Sequence, residues 1–356
     1  MKISVVTVVY NGEDSIERTI NSVLNQEGVD IEYIIVDGDS TDSTMEIVRK
    51  YECKISHIVS EPDRGIYDAM NKGLKLASGD VIAFLNSDDW YESNVLRFIA
   101  DVFEKKDIDI LCADARMIGE HGSWIRKAEL DEKTIIIQLP TSHQAIFATR
   151  KWYEKIGGFD TNYVISADYE WITRSITVGC RIDMLPMLVV NFSLGGMSAK
   201  YGKICQDERR NIALQYYTGT PLEKYVKRYY QYEDLLYKSR KEGNGFWDEA
   251  KVDIPADKKI FIFGAGKGGM NSYKLLEKLE YTVSGFIDNN LGEEQIEIEG
   301  KTVQLPETLE AGRDFVIIST ARYKNDIKNQ LLEQGFKENY DFCTYDDMKK
   351  WVVYGK

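Results

Sequence analysis

One stretch in the first quarter of the chain decides the fold: Val81-Ile82-Ala83-Phe84-Leu85-Asn86-Ser87-Asp88-Asp89. Its first five residues are apolar, which predicts a buried strand. Two carboxylates, Asp88 and Asp89, follow this strand, and an unpaired carboxylate is costly to desolvate. Mg²⁺ or Mn²⁺ is a suitable partner, because it takes one or two carboxylates and leaves its other positions to water and phosphate. The stretch predicts a metal–diphosphate site; the alternative is that both acids cap a helix starting near Ser93.

Length and charge limit the possible functions. The 356 residues are enough for two domains with sizeable cores. With 43% hydrophobic and 29% charged residues, the composition is ordinary for globular proteins. A net charge of −13 argues against a general nucleic-acid-binding protein, which needs a basic surface, although it allows a nucleotide ligand.

The compartment is expected to be the cytoplasm. No apolar run approaches the roughly 20 residues of a membrane span, and the chain starts with a strand pattern instead of a signal peptide. The five cysteines are far apart and odd in number. They show neither a zinc-ligand spacing nor a disulfide framework, which suits a reducing environment.

Strand and helix patterns alternate around the opening stretch. The predicted strands are residues 3–9, 31–36, 55–60 and 81–85, and the predicted helices are residues 15–24, 43–51 and 65–77. This alternation predicts a parallel α/β sheet, in which ligands bind beyond the carboxyl ends of the strands. Every predicted strand end is polar; the residues there are Asn11, Asp37, Asp39, residues 61–64, Asp88 and Asp89. Their convergence favours the metal–nucleotide interpretation.

The remaining chain divides into three further regions. Residues 108–113, 116–118, 145–149 and 189–193 have strand patterns, joined by loops and by helices at 152–156 and from Asp168. Residues 203–252 are helical, polar and rich in Tyr and Lys, and a second α/β pattern follows. We therefore expect an α/β domain at 1–202, a helical connector at 203–252 and a smaller α/β domain at 253–356.

Six spaced motifs occur in order within the first 200 residues. They are residues 7–11, 36–42, 63–73, 86–89, 157–160 and 167–171. Each is weak alone, but together they resemble inverting glycosyltransferases of family 2, and most of all bacterial enzymes that build surface polysaccharides. The resemblance implies the GT-A nucleotide-sugar-binding fold, an α/β domain with a mostly parallel sheet.

At matching positions the resemblance implies contacts with a nucleotide donor. The implied donor-binding residues are Thr7, Tyr10, Asn11, Asp37, Asp39, Arg64, Asn71, Asp88 and His143. Residues 7–11 would lie beneath the nucleoside, and an acid after the second strand would contact the base and ribose. Asp37 is the candidate for that acid, with Asp39 as the alternative, because Gly38 stands where the family often has a second acid. Arg64 suits a pyrophosphate; the alternative is a surface salt bridge with Asp63 or Glu61.

The metal motif departs from the family pattern. Asn86 stands where the first acid of an Asp-x-Asp variant often lies. The resemblance then implies that Asp89 ligates Mn²⁺ or Mg²⁺, and that Asp88 contacts the ribose or a metal-bound water. The metal would neutralise the departing diphosphate.

Asp168 matches the family's catalytic base at the start of a helix. An inverting transferase needs one base to deprotonate the acceptor hydroxyl as it attacks the anomeric carbon. Ala167 departs from the Glu-Asp pair common here, and the alternative is that Asp168 only caps the helix. Glu170 is ranked lower, because two residues further along a helix it would point elsewhere.

Two further segments resemble parts that border the family's site. Residues 141–144 include His143, for which a buried structural histidine is the alternative. Residues 195–198 resemble a flexible loop that closes over the diphosphate, for which an ordinary turn is the alternative.

The C-terminal pattern contains a dinucleotide-binding fingerprint. Gly264, Gly266 and Gly269 follow a predicted strand and open a predicted helix at residues 270–279, and Asp288 ends the next strand. The pattern predicts a small Rossmann-like domain with NAD or another nucleotide as ligand. No catalytic group for hydride transfer follows, so the alternative is a structural or partner-docking module.

The resemblance implies a metal-dependent, inverting hexosyltransferase with a UDP-linked donor. Its acceptor would be a saccharide or a glycan on an undecaprenyl diphosphate, used at the inner face of the membrane. Residues 225–230 mix aromatic and basic side chains, which predicts either membrane-surface contact or packing between the domains. Two other classes stay open: a nucleotide-sugar-binding regulatory protein with lost catalysis, indicated by Asn86 and Ala167, and an NAD-dependent sugar-modifying enzyme.

Overall fold

The computed structural model contains two compact units, Met1–Val226 and Lys227–Lys356. It describes residues 1–119, 122–131, 135–196, 201–227, 229–230, 254–255, 257–291, 296–320, 323–345 and 347–348. Part of the predicted connector, residues 228 and 231–252, lies outside the described residues. Among the helices of the described ranges, none is both long enough and apolar enough to cross a membrane.

The first unit is built on a sheet to which the described residues contribute nine strands. The strands are β1 Lys2–Val9, β2 Asp30–Asp37, β3 His57–Ser60, β4 Val81–Phe84, β5 Trp90–Tyr91, β6 Ile110–Gly119, β7 Gly122–Arg126, β8 Ile146–Thr149 and β9 Ile182–Ser193. Their order is β3-β2-β1-β4-β8-β6-β9-β5, with β7 beside β6. The first four strands are parallel, as the alternating pattern predicted, and β8 is antiparallel to both β4 and β6.

The register of the parallel strands explains where the site forms. Val9 pairs with Asp37, and Asp37 pairs with Ser60, so β1, β2 and β3 end in one row. Phe84, the last residue of β4, pairs with Val6 of β1. The polar residues that follow these strands therefore meet at the carboxyl edge of the sheet.

Helices cover both faces of this sheet. They are α1 Ile16–Leu24, α2 Thr44–Arg49, α3 Ile66–Leu76, α4 Val95–Lys105, α5 Arg150–Ile156, α6 Ala167–Val178 and α7 Gly202–Tyr217. The apolar faces of α1 and α4 belong to the same core cluster as Val5 and Ile35 of the sheet. Each fully buried aliphatic side chain there stabilises the fold by about 1.5–3 kcal/mol. On the other face α3 approaches β1 closely, since a Cβ added at Gly73 would lie 2.3 Å from Val6 Cγ1.

Three details of the first unit differ from the prediction. Residues 108–113 and 116–118 were expected to be two strands, but β6 is continuous and has register shifts on both sides of Asp114. Such a bulge interrupts the alternation of a strand, which makes one strand look like two. β5 and β7 were not predicted, because one is very short and the other is largely exposed.

The capping alternative for Asp88 and Asp89 is wrong. Helix α4 begins at Val95 with Asn94 at its N-cap position, and β5 lies between the two acids and that helix.

The second unit is a smaller α/β layer. Its strands are β10 Lys259–Phe263, β11 Val283–Ile287, β12 Glu297–Ile298, β13 Lys301–Gln304, β14 Asp314–Ile318 and β15 Phe342–Thr344. The order is β12-β13-β11-β10-β14-β15, and every pairing except β12–β13 is parallel. The described helices are α8 Lys267–Lys278 and α9 Lys324–Glu333. Helix α8 starts earlier than the predicted residue 270, so Gly269 is helical and not part of the turn.

Candidate active site

The loops after β1 and β2 are joined by hydrogen bonds. Asn11, in a left-handed conformation with φ 50°, accepts a bond from Thr41 N at 2.8 Å and donates its own N–H to Ser40 Oγ at 2.8 Å. Tyr10 is 63% exposed at this edge. Thr7, in contrast, is fully buried and accepts the Tyr33 hydroxyl at 3.1 Å, so its side chain packs inside the sheet.

The carboxylate of Asp37 holds the loop after β2 through hydrogen bonds. It is fully buried and accepts hydrogen bonds from Ser40 N at 3.1 Å, from Ser40 Oγ, and from Ser60 Oγ at 2.6 Å. Asp39 is exposed, has φ 66°, and makes no hydrogen bond to the described residues. Asp37 is therefore an internal residue that holds the loop through hydrogen bonds, whereas Asp39 is an exposed loop residue.

The turn that carries Asp88 and Asp89 is fixed through its backbone. The Thr19 hydroxyl of α1 donates to the carbonyls of Ser87 and Asp89, at 2.8 and 2.7 Å. The Asp88 carbonyl accepts Arg18 Nη2 at 2.9 Å and Ser193 Oγ at 2.7 Å. Backbone contacts thus hold the turn, and they leave the Asp88 carboxylate and Asp89 Oδ2 for other partners.

The two carboxylates are both desolvated. Asp89 is 1% exposed, and burial, followed by the neighbouring Asp88 carboxylate, raises its pKa well above the usual range. Burial also raises the pKa of Asp88, although Arg18 opposes this. Adjacent buried anions raise each other's cost of ionisation, which a bound cation would remove.

Asp89, Asn86 and Gln144 each have a buried oxygen without a hydrogen-bond partner among the described residues. Asp89 Oδ1 accepts Ser193 N at 2.8 Å, whereas Asp89 Oδ2 has no such partner. The other two oxygens are Asn86 Oδ1 and Gln144 Oε1. The Gln144 amide is near enough to lower the pKa of Asp89 but does not form a well-aligned bond with Oδ2. Orphan carboxylate and amide oxygens suit a hard divalent cation.

Within the described ranges, no group of three or more His, Cys, Asp or Glu side chains is arranged around a metal position. The protein's own carboxylate ligands would therefore be Asp88 and Asp89. This small ligand set fits Mg²⁺ or Mn²⁺, which bind nucleotide substrates through one or two carboxylates plus phosphate oxygens and water.

The short helix His143–Ala145 links the acid pair to the predicted base. Gln144 faces Asp89, while His143 stacks on Phe84 with ring centroids 5.7 Å apart. Burial lowers the pKa of His143, and Asp168 acts in the opposite direction. His143 is half-buried and stacked, as expected for a histidine with a structural role. It is also close enough to Asp168 for that carboxylate to influence its pKa.

Asp168 is held in a defined orientation. It is the second residue of α6, and Ser166 is the N-cap residue, so the capping alternative does not describe its position. Its Oδ1 accepts Tyr169 N at 2.8 Å and lies 3.1 Å from the Tyr67 hydroxyl, which shares its single proton with the Ile165 carbonyl at 2.8 Å. Its Oδ2 accepts no hydrogen bond from the described residues, and the side chain is half-buried. One oxygen is therefore fixed, and the other is available to a substrate.

Glu170 is committed to a structural role. It is 4% exposed and accepts hydrogen bonds from Arg174 Nε and Nη2, both at 3.0 Å, and from the Tyr216 hydroxyl. Its carboxylate is thus occupied within the protein, in agreement with its lower rank.

Arg64 and Asn71 line a cleft of 690 Å³, to which α3, residues 158–161 and α6 contribute side chains. The described residues lining it do not include Asp88, Asp89 or Asp168. Arg64 is exposed and forms a salt bridge with Asp68 at 3.3 Å. The alternative expected a salt bridge with Asp63 or Glu61, so the ion pair exists but its partner is different. Asn71 uses its amide to hold the backbone of Phe159, through bonds of 2.8 and 2.9 Å.

The glycine loop after β9 starts beside the acid pair. Gly195 has φ 104°, and a Cβ added at Gly196 would lie 3.7 Å from Asp88 Oδ2. Residues 197–198 of the predicted closing loop lie outside the described residues.

The glycines of the second unit have a distinct arrangement. Gly264 has φ 108°, and Gly266 is the N-cap residue of α8. A Cβ added at Gly269 would lie 1.9 Å from the Gly264 carbonyl oxygen, so this position requires glycine. Asp288 accepts Ala265 N at 3.2 Å, which ties the acid to the glycine turn.

Sequence reasoning missed three contributors to the site. Tyr67 orients Asp168, and the Glu208 carboxylate accepts the N–H groups of Val164, Ile165 and Ser166 at 2.6–3.0 Å, which fixes the loop before α6. Ser193 binds Asp89. The motif at residues 63–73 contained Tyr67, but nothing in the sequence pairs Glu208 or Ser193 with these positions.

Comparison with known proteins identifies the first unit. The family model described as glycosyl transferase family 2 matches residues 4–162. An uncharacterized glycosyltransferase of Mycobacterium tuberculosis is 31% identical over 208 residues, which cover 55% of this chain and 77% of the relative. The chain belongs to glycosyl transferase family 2. As predicted, it is a glycosyltransferase.

One further relative and one solved structure are also similar to the chain. A PGL/p-HBAD biosynthesis glycosyltransferase of Mycobacterium bovis is 31% identical over 176 residues, covering 48% of this chain and 68% of the relative. The crystal structure of S. aureus TarS residues 1–349 with UDP-GlcNAc superposes with a TM-score of 0.55 at 20% identity, covering 71% of this chain and 77% of that TarS fragment. The predicted GT-A fold is confirmed. A second family model, C2185-like N-terminal, matches residues 256–340.

Proposed function

We propose that this family 2 member is a metal-dependent, inverting glycosyltransferase that moves a sugar from a UDP-linked donor to an acceptor hydroxyl. The observation that carries the proposal is the buried Asp89 carboxylate, whose Oδ2 has no partner among the described residues while the adjacent Asp88 is also desolvated. Without a ligand this arrangement lowers the stability of the folded protein, since a buried unpaired charge is destabilising. It becomes favourable when a cation and a diphosphate bind.

In this proposal Asp89 holds Mn²⁺ or Mg²⁺, and Asp88 contacts the metal's water or the ribose. When bound, the metal supplies charge neutralisation for the departing diphosphate. The chain contributes a rigid support, because α1 and Ser193 fix the backbone carbonyls of the turn.

Asp168 is proposed as the base. Its Oδ2 takes the proton of the acceptor hydroxyl while the acceptor oxygen forms a bond to the anomeric carbon. The bond from that carbon to the diphosphate breaks on the opposite face, and its electron pair leaves with the nucleoside diphosphate. The bond from Tyr169 N to Oδ1, assisted by the Tyr67 hydroxyl that Asp168 shares with the Ile165 carbonyl, keeps the carboxylate from rotating during this step.

Support for the donor and acceptor classes comes from related proteins. TarS has been crystallised with UDP and with UDP-GlcNAc, which favours UDP as the nucleotide. The M. bovis relative is named for PGL/p-HBAD biosynthesis, which favours an acceptor on a glycan or glycolipid. We propose a saccharide or lipid-linked acceptor of surface-polysaccharide synthesis, used at the inner face of the membrane.

Residues 253–356, within the second unit, are proposed to be a Rossmann-like domain that follows a GT-A domain of residues 1–202 and a helical connector of residues 203–252. Counted along the unit, its parallel strands have the order 3-2-1-4-5, that of doubly wound nucleotide-binding sheets. NAD or another nucleotide is the expected ligand at Gly264, Gly266, Gly269 and Asp288. Thermal stabilisation of the full chain by NAD⁺, lost in Gly266→Val, tests this part.

The test of the main proposal compares the wild-type chain with Asp168→Asn. Turnover is measured as UDP release from a panel of UDP-sugars with Mn²⁺ and candidate saccharide acceptors, and UDP binding is measured by calorimetry. Asp168→Asn should lower kcat by about 10²- to 10⁴-fold, the usual contribution of a general base, with unchanged UDP affinity. The matched control is Asp101→Asn, which removes a partly exposed carboxylate on α4. Near wild-type transfer by Asp168→Asn would show that the base is elsewhere, and wild-type binding without turnover would favour a regulatory protein.

A further inference from the structure

The acid that contacts the donor nucleoside can be reassigned from the geometry around Gly38. Of the two acids predicted for this role, Asp37 ends β2 and Asp39 follows it, but neither is well suited to it. Asp37 is fully buried and its two oxygens accept hydrogen bonds from Ser40 and Ser60. Asp39 is exposed and makes no contact with the described residues that would fix its position. A carboxylate that selects a ligand needs both a fixed position and a free lone pair.

Gly38 leaves a space that another carboxylate fills. A Cβ added at Gly38 would lie 2.4 Å from Asp63 Oδ2 and 3.5 Å from Tyr10 Cδ2. Gly38 does not have a positive φ, so its backbone conformation does not explain the glycine. The absence of a side chain at position 38 instead makes room for Asp63, which follows β3.

Asp63 combines a fixed position with a free oxygen, whereas Asp37 lacks the free oxygen and Asp39 lacks the fixed position. Asp63 Oδ1 accepts Gly65 N at 2.8 Å, which fixes the carboxylate against the start of α3. Its Oδ2 accepts no hydrogen bond from the described residues, and the side chain is half-buried at the carboxyl edge of the sheet. The neighbouring Tyr10 ring is 63% exposed.

An exposed aromatic ring beside a fixed carboxylate is a suitable surface for a nucleoside. The face of a base stacks on an aromatic ring, and a carboxylate accepts hydrogen bonds from ribose hydroxyls or from a base N–H. Uracil offers such an N–H at N3, as guanine does at N1.

We propose that Asp63, next to Gly38 and Tyr10, is the carboxylate that accepts a hydrogen bond from the nucleoside of the donor. This rests on the proposed function, and it moves the specificity contact from the loop after β2 to the loop after β3. Asp37 then acts as a positioning residue, which holds the chain at Gly38 where Asp63 needs space.

The experiment measures two ligands on the intact chain in Mn²⁺. UDP contains the nucleoside, whereas inorganic diphosphate lacks it. Loss of a nucleoside contact should therefore weaken the binding of UDP and not that of diphosphate. Asp63→Asn keeps an oxygen for the Gly65 N–H and removes the charge. It should weaken UDP binding roughly 10- to 100-fold, the range for a charged hydrogen bond, and leave diphosphate binding within about twofold. Asp101→Asn is the control for a change of charge alone.

A second variant tests the shared space. In Gly38→Ala the new Cβ displaces only the end of the Asp63 side chain, so the chain should stay folded while UDP binding weakens and diphosphate binding does not. Unchanged UDP affinity in Asp63→Asn, or an equal loss for UDP and diphosphate, would overturn the assignment. If the wild-type chain bound neither UDP nor GDP, the proposed function itself would fail, and that result is distinct from a loss seen only in the variants.

Discussion

Asp89→Asn should stabilise the metal-free protein and remove its response to metal. In the metal-free chain the Asp89 carboxylate is 1% exposed, and only one of its oxygens has a partner among the described residues. The asparagine keeps Oδ1 for the Ser193 N–H and replaces the charged Oδ2 with an NH2 group, which can donate to Gln144 Oε1 after the Gln144 amide rotates by half a turn. A buried unsatisfied group costs about 1–3 kcal/mol.

The expected gain in unfolding free energy is therefore about 1–3 kcal/mol at pH 8 in EDTA. For a unit of this size each kcal/mol raises Tm by about 2–4 °C, so calorimetry or dye-based melting resolves the effect. Since burial raises the pKa of Asp89, the wild-type chain loses stability as the pH rises from the ordinary carboxyl range through this raised pKa. The advantage of Asp89→Asn should consequently vanish at low pH, where the wild-type carboxyl is protonated.

Metal should reverse the order of stability. Mn²⁺ with UDP at about 1,000 times its Kd stabilises a binding-competent chain by about 4.1 kcal/mol, which exceeds the whole expected advantage of the variant. The wild-type chain should gain this, and Asp89→Asn should gain little or none. Two results would refute the reasoning: a metal-free Asp89→Asn less stable than wild type at pH 8, or a variant that responds to Mn²⁺ as the wild type does.

Three further variants test the supports of the site and the fold. Tyr67→Phe removes the hydroxyl that binds Asp168 Oδ1 at 3.1 Å and should lower kcat by about tenfold, the value of one hydrogen bond, with unchanged UDP affinity; a fall in affinity alone would contradict this role. Glu208→Ala leaves the N–H groups of residues 164–166 unpaired and should cost about 3 kcal/mol in chemical denaturation; an unchanged midpoint would show that this loop is held by other contacts. Burial opposes ionisation of Glu32, but hydrogen bonds from two serines and a lysine outweigh it and lower its pKa to about 2. The wild-type chain should therefore lose about 2–3 kcal/mol as the pH falls from about 5 to 2, and Glu32→Gln should lose less over the same titration.

Local patterns were sufficient to predict the parallel half of the sheet. Apolar runs mark β1, β2 and β4, and the alternation with helices requires that their carboxyl ends share one edge. That rule alone predicts the positions of Asn11, Asp37, Asp88 and Asp89. Local pattern therefore predicts the neighbourhood of the site.

Contacts between loops could not be predicted in the same way. The use of Asn71 to hold Phe159, and the placement of Asp63 in the space left by Gly38, depend on how separate loops fold against each other. A single sequence contains no signal for such pairs. Burial is also a tertiary property, so Asp37 and Asp39 looked equivalent although one is internal and the other exposed.

The departure at Asn86 can be understood from the charge of the site. Asn86 Oδ1 is buried and without a partner among the described residues, beside two desolvated carboxylates. An aspartate at this position would add a third negative charge and raise the cost of the metal-free state. Two carboxylates already balance one divalent cation, and the diphosphate brings further negative charge to the same ion. A neutral oxygen at position 86 is thus compatible with metal and diphosphate binding, and its presence is no argument that catalysis has been lost.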